Sequence, residues 1–316
     1  MRDRQGREID YLRLSVTDRC NMRCIYCMPS EGVPLYDHAE ILRFEEIERL
    51  AGIFRTAGIR KVRITGGEPL LRRDLPVLVA GLSRCGFDKL VLTSNGLLLE
   101  RHAGALAAAG LDRVNVSLDS LKDEVLAAIS GGTASVQAIE QGISAAIEAG
   151  LTPVRVNCVV LKGLNDGEIP DMLLWASEAG VHLRFIEHMP ARLGEARFLP
   201  AERILAAASV LGETVSMGRE PGGVQTTWSI PSEDITFGIV APVSDPQFCR
   251  DCRRLRLSST GLLLSCLSRP EGFDLKACMR GGADDTALLG MIEEAVEMKP
   301  AASTGCRNLS MWRTGG

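Results

Sequence analysis

Three cysteines sit close together near the start of the chain, Cys20, Cys24 and Cys27 in the run RCNMRCIYC, with Tyr26 just before the last. The spacing is C-x3-C-x2-C. A closed structural metal site takes four ligands, whereas three thiolates on an iron–sulfur cluster leave one iron open to bind something else. The spacing therefore points to a reactive cluster. A zinc site needs a fourth ligand, and no histidine precedes His38. A second trio, Cys249, Cys252 and Cys266, has the spacing C-x2-C-x13-C, with Arg254 and Arg256 inside it. A zinc ribbon using Cys278 as fourth ligand fits that spacing too. Guanidinium groups beside a metal site suit a phosphate-bearing ligand. Between the trios lies Gly66-Gly67-Glu68-Pro69. Its glycines let backbone approach a ligand closely, and its carboxylate can take an ammonium group.

These residues need a scaffold. Short β-branched runs at 12–16, 61–65, 90–93, 113–118, 154–160 and 183–186 alternate with helical patterns. The helical patterns cover 44–54, 75–82, 97–109, 136–149 and 169–179, and glycine closes them in TAGI, AAGL, EAGL and EAGV. Six β-then-α units imply a parallel sheet with right-handed crossovers. A partial (β/α)6 barrel fits the count, and an open doubly wound sheet fits the periodicity equally well. After Gly212 the pattern becomes strand-like runs and turns, with a hairpin turning at Thr260-Gly261 and one helix over 284–296. This predicts a barrel domain over 1–215 and a smaller α+β domain over 216–316. Loops after barrel strands open on the C-terminal face, where α/β active sites lie. The first trio follows the first strand.

The chain has 316 residues, 46% apolar, with a net charge of −4, as in an ordinary globular protein. That charge speaks against a nucleic-acid or anionic-membrane surface. The N-terminal MRDRQGREID is charged, no run is long enough to span a bilayer, and ten cysteines suit a reducing compartment. We expect a cytoplasmic protein with no nucleic-acid or membrane partner. Cys85, Cys158, Cys278 and Cys306 read as buried thiols, and His38, His102, His182 and His188 are too dispersed for a metal site.

CNMRCIYC followed by TGGEP resembles the radical S-adenosylmethionine (SAM) superfamily. The full chain resembles the GTP 3′,8-cyclases of molybdenum-cofactor biosynthesis (the MoaA family) through LRLSVTDRCNMRCIYCMP, KVRITGGEPLLRRDL, VNVSLDSL, RFIEHMP, FCRDCRRLRLSSTGLLLSCL and the terminal Gly-Gly. The resemblance implies a lyase with two 4Fe-4S clusters. Cys20, Cys24 and Cys27 match the ligands of the first, which binds SAM. Cys249, Cys252 and Cys266 match those of the second, whose open iron binds guanine. It implies SAM contacts at Tyr26, Gly67, Ser117 and Met189. It implies GTP contacts at Arg13, Arg63, Thr93, Lys162, Arg254, Leu255 and Arg256. In the implied reaction a deoxyadenosyl radical takes the ribose C3′ hydrogen of GTP, and C3′ then adds to guanine C8. The terminal Gly315-Gly316 assists the radical step in that family, whose tails end M-x-x-I-G-G where this chain has MWRTGG. The implied partners are GTP, an electron donor and, by pathway, a cyclic pyranopterin monophosphate synthase; a homodimer is compatible with them. Two other readings remain: a peptide-modifying radical SAM enzyme, which the arginines after Cys252 disfavour, and a non-catalytic iron or redox sensor, which TGGEP and the Gly-Gly end disfavour.

Overall fold

The computed structural model describes residues 1–302 except Ser30, Thr133 and Pro221. Six β/α units come first: β1 (Tyr11–Ser15), α1 (Phe44–Thr56), β2 (Lys61–Thr65), α2 (Leu75–Arg84), β3 (Lys89–Ser94), α3 (Leu99–Ala108), β4 (Arg113–Ser117), α4 (Asp123–Ser130), α5 (Val136–Glu148), β5 (Arg155–Val160), α6 (Ile169–Glu178), β6 (His182–Glu187) and α7 (Ala201–Ala208). Then come β7 (Val215–Gly218), β8 (Gln225–Ile230), β9 (Ile235–Val240), β10 (Arg254–Leu257), β11 (Leu262–Leu264), β12 (Phe273–Asp274), α8 (Leu275–Arg280) and α9 (Asp285–Glu297).

The helix stops repeat one piece of physics. Gly58, Gly110, Gly150 and Gly180 all take positive φ, between 65° and 95°. The apolar residue after each sends its N–H back to the last turn: Ile59 to Phe54, Leu111 to Leu106, Leu151 to Ala146 and Val181 to Ala176. This is the Schellman arrangement, and it drops each of those residues into the core as the chain turns toward the next strand.

Strands β1 to β6 lie side by side in chain order, all parallel. An open doubly wound sheet reverses strand order at a switch point; this sheet does not, so the partial-barrel expectation holds. The C-terminal strands join the same sheet at both edges. β10 pairs parallel with β1, and β9 pairs parallel with β6. Antiparallel β11 and β12 extend one edge, β8 and β7 the other. Helices α4, α7 and α8 and strands β7 and β12 are elements beyond those the sequence pattern predicts. Each is short, and β7 is exposed along its whole length, so it carries no buried alternation. Among the described residues no helix is long and apolar enough to cross a membrane.

Candidate active site

A cavity of about 570 Å³ runs through the barrel, and both cysteine trios line it. The topology puts them at opposite ends. Cys20, Cys24 and Cys27 follow the C-terminal end of β1. Cys249 and Cys252 precede β10, which is parallel to β1, and Cys266 follows antiparallel β11; the second trio is thus at the N-terminal ends.

The first trio sits on a loop tied to the end of α4. Arg23 N–H donates to Ser130 O at 2.8 Å and Ile25 N–H to Ile129 O at 2.9 Å. Burial pushes the Cys20 thiol up to about 11 and Cys27 up to about 12, and raises Cys24 well above its ordinary value. Neighbouring cysteines add to the rise at Cys24 and Cys27. Three thiolates here need a cation among them, which a metal centre supplies. The loop opposite is built for close approach. A Cβ on Gly66 would stand 2.8 Å from Thr17 O, and one on Gly67 2.3 Å from Arg19 O. Instead Gly67 and Glu68 N–H donate to those same two oxygens, at 2.8 and 2.7 Å. No three His, Cys, Asp or Glu among the described residues converge on a site for one metal ion.

Glu68 does not offer its carboxylate to the cavity alone. It accepts from Leu70 N–H, Ser94 Oγ and Asn95 N–H at 3.0, 2.9 and 2.7 Å. Burial still holds it up at about 7. Tyr26 donates its hydroxyl to Asp119 Oδ2 at 2.8 Å, while Val159 N–H donates to Oδ1 at 2.8 Å. Burial raises Asp119 to about 6 against those two bonds. Glu187 accepts from Ala201, Val243 and Ser244 N–H groups at 2.8–3.0 Å and from the Ser244 hydroxyl.

The middle of the cavity is a belt of cations. Strand register lines up Lys61, Tyr11 and Arg254 on one level, and Arg63, Arg13 and Arg256 on the next. Arg155 of β5 and Arg184 of β6 continue the belt, with Arg184 Nη2 donating to Asn157 Oδ1 at 2.5 Å. Burial, then Arg256 and Arg63, push Arg13 well below its ordinary value; burial and Arg254 bring Arg256 to about 10. Like charges opposite each other in a sheet are unfavourable. Such a belt calls for a polyanion. The second trio differs in charge from the first: burial alone would raise Cys252, but Lys299 and Arg254 overcome it and bring the thiol down to about 7.

Of the expected contact residues, Tyr26, Gly67, Ser117, Met189, Arg13, Arg63, Thr93, Arg254 and Arg256 all line the cavity. Leu255 points the other way, into the core between its neighbours, fully buried. Lys162 is exposed beyond the end of β5, its backbone paired with Arg197, and is not among the lining residues. Gly315, Gly316 and Cys306 lie outside the described residues. Cys278 packs against the core from α8 rather than joining the second trio. The sequence reading did not single out Lys61, Arg155, Arg184, Asp119 and Lys299, all of which line the cavity. A signal existed for the arginines: a basic residue within a short run that reads as a parallel strand, as in RVNCVV and HLRFIE.

Residues 14–176 match the Radical SAM superfamily model, and residues 181–304 match Molybdenum Cofactor Synthesis C. The GTP 3′,8-cyclase of Heliobacterium modesticaldum is 44% identical over 309 residues, 95% of this chain and 93% of that one. The chain belongs to the GTP 3′,8-cyclase family. The Pelotomaculum thermopropionicum member is 42% identical over 307 residues, 95% of this chain and 94% of its own. The fold is also that of Streptococcus suis SuiB, solved bound to precursor peptide SuiA, with a TM-score of 0.65 at 14% identity. That likeness covers 94% of this chain and 66% of SuiB. A 4Fe-4S cluster and SAM come with membership of the radical SAM superfamily, and the first trio and its glycine cradle fit them.

Proposed function

We propose that this protein converts GTP to (8S)-3′,8-cyclo-7,8-dihydroguanosine 5′-triphosphate, the first step of molybdenum-cofactor biosynthesis. The observation that carries the reading is one cavity with a cysteine trio at each end and a belt of cations between. Cys20, Cys24 and Cys27 hold a 4Fe-4S cluster, and Tyr26, Gly67, Ser117 and Met189 hold SAM. These contacts sit at or just after the C-terminal ends of β1, β2, β4 and β6. Cys249, Cys252 and Cys266 hold a second cluster at the guanine end. Bound together, these groups supply the radical chemistry that takes the ribose C3′ hydrogen and joins C3′ to guanine C8.

The chain's own residues do the positioning. A triphosphate carries about four negative charges, and Arg13, Arg63, Arg155, Arg184, Arg254 and Arg256 offset them in a partly dry site. Glu68, Asp119 and Glu187 are pinned by hydrogen bonds from the backbone and neighbouring hydroxyls, so they do not compete for those cations. Thr93 lies on the cavity wall of β3, where Asn115 Nδ2 donates to its hydroxyl at 3.3 Å. Fixing one ribose C–H toward the radical is where most of the catalytic benefit lies. Gly315 and Gly316 complete the site in this reading. In this reading residues 1–215 carry the SAM cluster and 216–316 the second cluster, and both contribute cations to the GTP site between them. An electron donor, the downstream synthase and a homodimer remain parts of the proposal, as does a cytoplasmic location.

The test is anaerobic reconstitution with SAM, dithionite and GTP. The expected products are 5′-deoxyadenosine and the cyclised nucleotide. Deoxyadenosine released with no consumption of GTP overturns the reading.

A further inference from the structure

Cys249, Cys252 and Cys266 all lie on irregular chain, before β10 and after β11. Loops do not hold three thiols in a fixed triangle by themselves. Arg219 braces the first of these loops through Asp245 and Asp251, and the short stretch just after α9 reaches both loops.

Lys299 is 3% exposed. Its Nζ donates to Arg254 O at 2.6 Å and to Ser265 O at 2.7 Å. Arg254 lies two residues after Cys252, and Ser265 immediately before Cys266. The next residue, Pro300, accepts from Arg7 Nη2 at 2.7 Å, and the same guanidinium donates through Nη1 to Cys249 O at 2.7 Å. Arg7 is itself fixed by Asp3 through a 2.6 Å ion pair whose side chains are 7% and 0% exposed. Thus residues 299 and 300 reach all three cysteine segments through two cations.

The charge arithmetic points the same way. A buried ammonium needs an anionic partner. The two hydrogen bonds of Lys299 run to the carbonyls beside Cys252 and Cys266. Carbonyl oxygens orient the ammonium but do not neutralise it; thiolates holding a cluster there would. Groups that orient ligands from behind commonly decide whether a metal stays bound.

We propose that Lys299, together with Arg7, is a positioning residue of the second cysteine trio, clasping its three segments into the geometry that receives an iron–sulfur cluster. This rests on the two-cluster reading above. It assigns no contact with GTP or SAM to either residue.

The experiment reconstitutes wild type, Lys299→Met, Lys299→Arg and Arg7→Met anaerobically. It measures iron and sulfide content, the EPR spectra of the reduced clusters and the rate of iron loss to a chelator. Wild type should hold about eight irons. Lys299→Met should keep the first-site EPR signal and its response to SAM, and lose second-site iron to chelator about 10–100-fold faster. Lys299→Arg should recover part of that retention, because it restores charge and donors but not shape. Wild-type chelation rates and second-site spectra in Lys299→Met overturn the clasp alone. Wild type holding only about four irons overturns the two-cluster reading and the clasp with it. If Lys299→Met also loses the first-site signal, Arg7→Met decides: second-site iron retained at the wild-type rate there overturns the clasp.

Discussion

Arg13 and Arg256 stand opposite each other on adjacent parallel strands, β1 and β10. Arg256 is buried and Arg13 half-buried against the same cavity; burial and then Arg256 push Arg13 down, while burial and then Arg254 lower Arg256. In the proposed reading, a bound polyphosphate offsets the repulsion between such like charges on neighbouring strands. Arg256→Met should therefore separate two quantities. The KM for GTP should rise about 10–100-fold, the loss of one charged hydrogen-bonding group. The rise in melting temperature that GTP confers should shrink. A fall in both melting temperatures by the same amount would make Arg256 a structural residue only.

Position along β5 distinguishes two cations. Arg155 faces the cavity, and Lys162 is exposed past the strand end. Arg155→Ala should raise the KM for GTP by roughly tenfold or more, and Lys162→Ala should change it by less than about twofold, as expected for a solvated cation outside the site. Steady-state kinetics at fixed SAM checks both.

Gly67→Ala tests the cradle. The new Cβ would meet the Arg19 carbonyl at 2.3 Å, a backbone atom that cannot swing aside. Overpacking of this kind typically costs about 1–3 kcal/mol. The loop beside Cys20 must shift, so SAM-dependent deoxyadenosine formation should fall sharply and first-site iron should be lost faster. Iron assay and SAM titration on the same sample read both.

Cys266→Ala should abolish cyclisation, lower the iron content by about four per chain and leave some SAM cleavage. Full cyclase activity in that variant would make the second cluster dispensable.

A pH prediction comes from the far side of the barrel. Arg280 of α8 holds Glu46 of α1 down to about 2, against the opposing effect of burial and with help from Arg43. A depressed carboxyl stabilises the fold above its unfolded value near 4.5 and loses that contribution as pH falls through about 2. Because Arg280 is 36% exposed, solvent screening limits the effect to about 1 kcal/mol. Glu46→Gln should lower stability at pH 7 by that amount, and the gap from wild type should close as the pH falls from about 4.5 toward 2. Denaturant melts of the metal-free chain across that range give the measurement.

The barrel was legible because its signals are local. Apolar spacing marked α1, α2, α3, α5 and α6, and a glycine with its following apolar residue marked four of their ends. Cysteine spacing marked both trios. The belt was less legible because it exists only across strands. Arg13, Arg63 and Arg256 become neighbours through register, which no single stretch of sequence displays. Alternation carries part of the missing information: with Arg254 and Arg256 facing the cavity, Leu255 must face the core. Lys299 had no local signal at all. Its meaning comes from two carbonyls, at 254 and 265, that the chain brings to it only after folding.

The placement of β10 beside β1 also sets a timetable. On the ribosome, residue 11 emerges long before its partner at residue 254, and pairings so remote in sequence are slow to form and leave a strand edge open meanwhile. The barrel half can fold first but cannot close its arginine belt or gather the second trio. A chain interrupted before β10 therefore carries the first cysteine trio while lacking Cys266, Arg254 and Arg256.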